Sequence, residues 1–218
     1  LKLEKDGEDI YPLVKKLAAE REDDHHDLVR YEIMKQFGYY VTESSEHNAE
    51  YMPYFIKRNY PELIERYNIP LDEYPRRCEA QIAGWEKMRD DLVHNTQIEH
   101  QLSNEYGSKI MNAMETNTPY KIGGNVINNG LITNLPREAC VEVPCLVDGS
   151  GIHPVHVGDL PPQLAALNRT NVNVHLLTIE AFVTKKKENI YHAALLDPHT
   201  SSELSIDEII ALCDDLIE

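Results

Sequence analysis

Tyr120-Lys121-Ile122-Gly123-Gly124-Asn125-Val126-Ile127-Asn128-Asn129-Gly130-Leu131-Ile132-Thr133 is the stretch that decides the fold class of this 218-residue chain. Helical spacing of apolar residues breaks off here. Two glycines interrupt the run, Val126, Ile127 and Leu131 alternate loosely, and residues 139–147 that follow are rich in Val and Cys around Pro144. Short apolar segments bounded by Gly, Asn and Pro read as strands. Two or three strands are therefore expected in the middle of the chain.

On both sides of this stretch the period is helical. Upstream, Cys78, Ile82, Trp85, Met88 and Leu92 predict one long helix or two abutting helices over 74–114. Leu28, Tyr31, Ile33, Met34 and Phe37 stop at Gly38 and predict a helix over 26–37. Ser44-Ser45-Glu46-His47 offers a hydroxyl cap for a short helix that Pro53 limits, and Pro61 opens another to about residue 67. Leu1 to Gly7 lacks an initiator Met and reads as the last turn of a helix closing on Gly7, as in a chain that begins mid-protein.

Downstream, Pro161-Pro162 starts a helix whose stripe of Leu164, Leu167, Val172, Leu176, Ile179 and Phe182 predicts burial over much of its surface. Ser205-Ile206-Asp207-Glu208 is a capping-box start for a last helix, with Ile209, Leu212 and Leu216 expected on its inner face. With no internal repeat, linker or composition break, the expectation is one α+β domain, helix-rich, around one small sheet.

Charge narrows the function. The chain has 21 Lys and Arg against 37 Asp and Glu, a formal net charge of −16. That balance opposes nucleic acid and anionic membranes, whose recognition needs clustered cations. The one basic run, Lys185-Lys186-Lys187, reads as a solvated loop or helix start. Four scattered cysteines fit reduced thiols and a cytoplasmic setting better than a disulfide framework. No apolar stretch reaches the roughly 18 residues of a membrane helix, and Leu1 to Ile10 lacks the pattern of a signal peptide.

The densest group of proton-moving side chains is Thr42-Glu43-Ser44-Ser45-Glu46-His47 with Glu50, Tyr51 and Tyr54. Its plainer reading is a capped helix start with carboxylates in the first turn. His94 and His100 are six apart and His25 and His26 adjacent, so neither pair has metal-ligand spacing. Cys140 and Cys145, on either side of Pro144, read as core thiols. There is no Gly-x-Gly-x-x-Gly turn for a dinucleotide, and the sequon at Asn168 falls within a predicted helix.

The run from Gly38 to His47, continuing to Glu50-Tyr51 and Pro53-Tyr54, closely resembles a segment of the glycoside hydrolases of family 4, in their α-galactosidase branch. Asn125 through Pro136 with Val141-Glu142-Val143-Pro144 is similar to a signature of that family's C-terminal region. Val157 through Pro162, Ala165 through Arg169, and Leu196-Asp197-Pro198 fit the same region, so the resemblance covers nearly the whole chain.

The resemblance implies the C-terminal substrate and oligomerisation domain of an NAD- and manganese-dependent enzyme, of the lactate/malate dehydrogenase-like kind with a mostly antiparallel sheet. Its Rossmann domain and manganese ligands would precede Leu1. It further implies hydrolysis of α-galactosides by C3 oxidation, C2 deprotonation, elimination and water addition, a departure from paired-carboxylate glycosidases. His47 is the favoured base, with Glu43, Glu46 and Tyr51 as rivals. Glu46, Asn125, Asn128 and Arg30 are candidate sugar contacts, although Asn125, Asn128 and Asn129 equally suit a tight turn, and a helical Arg such as Arg30 is more commonly exposed or ion-paired. The chain alone is expected to bind neither NAD nor manganese, to lack metal ligands, and to self-associate as a dimer or tetramer through a face that its Rossmann partner normally covers. The competing readings are an α-glucuronidase or α-galacturonidase, and a non-catalytic assembly module.

Overall fold

The computed structural model describes residues 3–20, 26–95, 103 and 105–217. The chain forms two compact units. The first comprises Leu1–Ile69, Gly123–Val143 and Pro154–Glu218, and the second Pro70–Ile122 and Pro144–His153.

The chain starts with a hairpin of β1 (Glu4–Lys5) and β2 (Glu8–Asp9), not a helix end. Asp6 (φ 54°) and Gly7 (φ 85°) are both left-handed, the conformation a two-residue hairpin loop needs. The Asp-Gly pair is therefore a hairpin signal where a C-cap was expected. Helix α1 (Tyr11–Glu20) follows, and then α2 (Leu28–Phe37), which ends as expected on a left-handed Gly38.

Ser44 caps α3 (Ser45–Tyr51), and Pro61 opens α4 (Glu62–Arg66). Between them, Val29, Ile33, Ala49, Phe55 and Ile69 close into a core on which Phe37, Val41, Met52 and Tyr67 pack. Burying a Val, Ile or Phe side chain stabilises by about 1.5–3 kcal/mol. Phe55 meets Tyr67 edge to face at 5.0 Å. This core supports the residues just after Gly38.

The second unit carries α5 (Glu73–His94) and α6 (Gly107–Thr116), which occupy most of the helical span expected over 74–114. Residues 96–102 and 104 of that span, with His100, lie outside the described residues, as does His25. The sheet has three strands, β3 (Tyr120–Ile127), β4 (Cys140–Asp148) and β5 (Gly151–Pro154), in the order β3-β4-β5, and is small and antiparallel. In β4 the alternation is strict: Val141, Val143, Cys145 and Val147 are buried and the residues between them exposed. Cys140 is thus not a core thiol; it sits an odd number of residues from Cys145 and so faces the other way.

The last four helices are α7 (Pro162–Thr184), α8 (Glu188–Leu196), α9 (Pro198–Glu203) and α10 (Ile206–Leu216). Lys185 closes α7 in a left-handed turn and Lys187 opens α8, so the basic run is both loop and helix start. The stripe on α7 is less buried than expected. Ala165 and Ala181 are inside, whereas Ile179, Phe182 and Val183 are exposed. On α10 the capping box of Ser205 and Glu208 is present, but Ile209 and Cys213 form the inner face while Leu212 and Leu216 are exposed. No described helix is long and apolar enough to cross a membrane.

Candidate functional site

The site grows from the segment between α2 and α3. Once Gly38 has ended α2, its N–H bonding the Met34 carbonyl at 2.8 Å, residues 39–44 run without regular structure, and their backbone groups must find partners elsewhere. Arg30 supplies two. Its Nε and Nη2 donate to the Val41 carbonyl at 3.0 and 2.9 Å, its Nη1 pairs with Asp27 at 3.1 Å, and its guanidinium lies 4.2 Å over the Tyr40 ring. The Tyr40 N–H donates to the Tyr11 hydroxyl at 2.6 Å. Burial, set against the nearby Arg30 cation, pushes the Tyr40 phenol above its ordinary value.

From the other side, the buried Asn48 donates through Nδ2 to the carbonyls of Glu43 and Ser44, each at 3.1 Å. The Ser44 hydroxyl accepts from the His47 N–H at 3.3 Å, and Glu43 Oε1 accepts from the Ser44 N–H at 2.8 Å. The segment is therefore a fixed ledge. It lines a cavity of about 360 Å³ together with one face of α7, which presents Leu164, Leu167, Asn168 and Asn171. That size falls within the range of small-molecule sites. Gln163 of α7 donates to the Phe37 carbonyl at 3.1 Å and Asn171 to the Tyr51 carbonyl at 3.5 Å, joining the two walls.

The expected site residues separate on this frame. Glu43 and Tyr51 line the cavity; His47 and Glu46 do not. The His47 ring bonds Glu50 at 3.0 Å and stacks on the Tyr51 ring at 6.0 Å between centroids. The hydrogen bond to Glu50 raises its pKa above the usual histidine value. Arg30 is committed to the ledge rather than pointing a free cation at a ligand. Asn125 is exposed on β3 away from the cavity lining.

Asn128 cannot be a sugar contact. It is fully buried, its Nδ2 donates to the carbonyls of Ile132, Leu135 and Pro136 at 2.9, 3.1 and 2.9 Å, and its Oδ1 accepts from the Ile132 N–H at 2.7 Å. Asn129 and Gly130 have positive φ, and the Leu131 N–H returns to the Asn128 carbonyl, so the trio makes a turn. Asn48, Asn168 and Asn171 were missed in the sequence. Leu164, Leu167, Asn168 and Asn171 stand at i, i+3, i+4 and i+7, one face of a helix, and amides interrupting an apolar stripe were the available signal. Among the described residues no three His, Cys, Asp or Glu side chains gather closely enough to hold a metal ion.

Residues 1–200 match the family 4 glycosyl hydrolase C-terminal domain. The chain is 64% identical over 217 residues to an alpha-galactosidase of Bacillus subtilis, a match covering 99% of this chain and 50% of that protein. It is 31% identical over 205 residues to an alpha-galactosidase of Rhizobium meliloti, covering 88% of this chain and 41% of that one. The chain thus spans half or less of the length of these relatives. Among solved structures, a protein assigned as a glucosidase, lplD of Bacillus subtilis, superposes with a TM-score of 0.84 at 19% identity over 96% of this chain and 50% of that one. A 6-phospho-alpha-glucosidase from gut microorganisms, in complex with NAD and Mn2+, gives a TM-score of 0.65 at 20% identity over 97% of this chain and 50% of that one.

Proposed function

This chain belongs to glycosyl hydrolase family 4, as its C-terminal domain, and on that premise we propose that it forms the sugar-binding half of an α-galactosidase. The observation that carries the reading is the 64% identity, along nearly the whole chain, to an alpha-galactosidase. The cavity lining supports the same sugar class. Its polar members are hydroxyls, amides and Glu43, and among the described residues no Lys or Arg lines it. An α-galacturonidase or α-glucuronidase would place a cation opposite the sugar carboxylate, where Glu43 would instead repel it.

Among the described residues no three metal-ligating side chains gather, and the solved relative that carries NAD and Mn2+ is about twice the length that this chain spans. We assign both to the half of the full-length relatives that this chain does not span. NAD would supply oxidation at C3, which acidifies the hydrogen on C2. What falls to this chain is holding the galactoside and accepting that proton. Tyr51 lines the cavity with His47 stacked on its ring, and we assign the C2 proton to its phenolate oxygen, which becomes the neutral phenol; Glu43, Thr42, Asn168 and Asn171 hold sugar hydroxyls. His47, whose ring bonds Glu50 outside the lining, positions Tyr51.

The test uses the full-length enzyme with p-nitrophenyl α-galactoside and its galacturonide counterpart. The galactoside should be the substrate by kcat/KM, and Tyr51→Phe should lower kcat by about two to four orders of magnitude, the usual range for a lost acid-base group. His47→Ala should cost much less. Normal turnover in Tyr51→Phe with the loss in His47→Ala returns the base to His47, and a preference for the galacturonide ends the α-galactosidase reading.

A further inference from the structure

Helices α1 and α2 frame a second cavity, of about 250 Å³, that the galactoside reading does not use. It is built from one face of each helix. Lys15, Ala18 and Ala19 stand at i, i+3 and i+4 on α1, and Tyr31, Met34 and Lys35 at the same spacing on α2, with Gly38 also in the lining. The apolar part is therefore Ala18, Ala19 and Met34, and the polar part is two ammonium groups and a phenol.

That lining runs against the composition of the chain. With 37 Asp and Glu against 21 Lys and Arg, a concavity should more often meet a carboxylate than an ammonium, yet among the described residues no Asp or Glu lines this one. Neither cation is spent on a strong ion pair. Lys15 pairs with no carboxylate among the described residues; its Nζ lies over the rings of Tyr11 and Tyr39, 5.1 and 5.5 Å from their centroids, which orient the charge without neutralising it. Lys35 reaches Glu32 only at 4.0 Å with its side chain 63% exposed, and such a pair contributes little. Lys16, the next residue along α1, lies 3.9 Å from Glu20 and is outside the lining.

We propose that this cavity binds a small phosphomonoester, its dianionic phosphate between Lys15 and Lys35 and its organic group against Ala18, Ala19 and Met34. Two cations without a carboxylate match a doubly charged head better than a monoanion, and charge-assisted hydrogen bonds from ammonium to phosphate are stronger than neutral ones. The volume limits the ligand to less than drug size. The site shares no lining residue with the galactoside cavity, so it holds whichever sugar that cavity takes.

Calorimetry of the 218-residue chain with phenyl phosphate, phenyl sulfate and inorganic phosphate at fixed ionic strength separates charge from shape. Phenyl phosphate should bind about tenfold tighter than the sulfate, which carries one charge fewer. It should also bind tighter than inorganic phosphate, which has nothing to set against the apolar lining. Lys15→Met keeps the apolar stem and should weaken phenyl phosphate about tenfold; Lys35→Met, whose cation the last turn of α2 and Glu32 also hold, should weaken it about threefold. Circular dichroism checks that both variants keep the helix content of the parent. Acetylation of lysine amines in the parent, followed by mass spectrometry, locates the anion without a substitution: phenyl phosphate should protect Lys15 and Lys35 and leave Lys16 as reactive as before. No binding of phenyl phosphate at millimolar concentration overturns the site. So does equal protection of Lys16 or equal affinity for phenyl sulfate, either of which marks general charge screening. Inorganic phosphate bound as tightly as phenyl phosphate overturns the organic half of the assignment, and undiminished binding by Lys15→Met puts the anion elsewhere.

Discussion

At the scale of single residues, Asn128 and Arg30 show how an apparent ligand set turns out to be scaffold. Asn128 satisfies three carbonyls and one N–H inside the turn that leaves β3. Replacing it with Ala would leave those groups buried without partners, so Asn128→Ala should destabilise the chain by about 2–4 kcal/mol, read as a lowered denaturant midpoint. A variant as stable as the parent would mean that water replaces the amide. Nothing in the sequence could have separated this role from sugar binding, since Asn-Asn-Gly suits a turn and a ligand loop equally. Arg30 makes the ion pair that is the commoner fate of a helical Arg, but its bonds to the Val41 carbonyl depend on where the next loop passes, which the sequence does not show.

At the scale of elements, the helix ends were legible because capping is local: Gly38 after α2, Ser44 before α3 and the Ser205–Glu208 box before α10 all stand where their residue types indicate. What each helix faces was not legible. The apolar stripe of α7 continues past the part that packs, and its amides at Asn168 and Asn171 mark a cavity only because α3 and the ledge lie opposite. Helix α9, unforeseen in the sequence, is tied down by charge. Lys57 reaches Glu203 Oε1 at 2.6 Å and the Ser202 carbonyl at 3.4 Å, and the Arg58 N–H donates to Glu203 Oε2 at 2.7 Å. The hydrogen bond from Lys57, with that from Arg58, holds the Glu203 carboxyl below the usual glutamate range.

A carboxyl lowered on folding contributes stability that is fully present above its unfolded value, about 4.3, and is lost as pH falls through the lower folded one. The melting temperature of Glu203→Gln should therefore fall below that of the parent at neutral pH, and the two should converge as the solution is acidified below pH about 4. A difference that persists unchanged into acid would mean that the carboxylate charge contributes nothing there.

At the scale of the whole molecule, the division into two compact units left no trace in composition, because it falls beside Pro70 and within continuous strands. The cysteines, which the sequence reads as reduced thiols with Cys140 and Cys145 in the core, acquire a use from it. Cys140 is exposed, Cys78 half-buried, and Cys145 and Cys213 buried, so a thiol-modifying reagent followed by mass spectrometry should label them in that order, the last two only as structure opens. Rapid labelling of Cys145 or Cys213 under native conditions would contradict their burial. Cys145 belongs to the second unit and Cys213 to the first, so the chain carries one protected sulfur in each. Matched modification rates for that pair, followed through a denaturant series, would identify a single melting body, and diverging rates two bodies that melt apart.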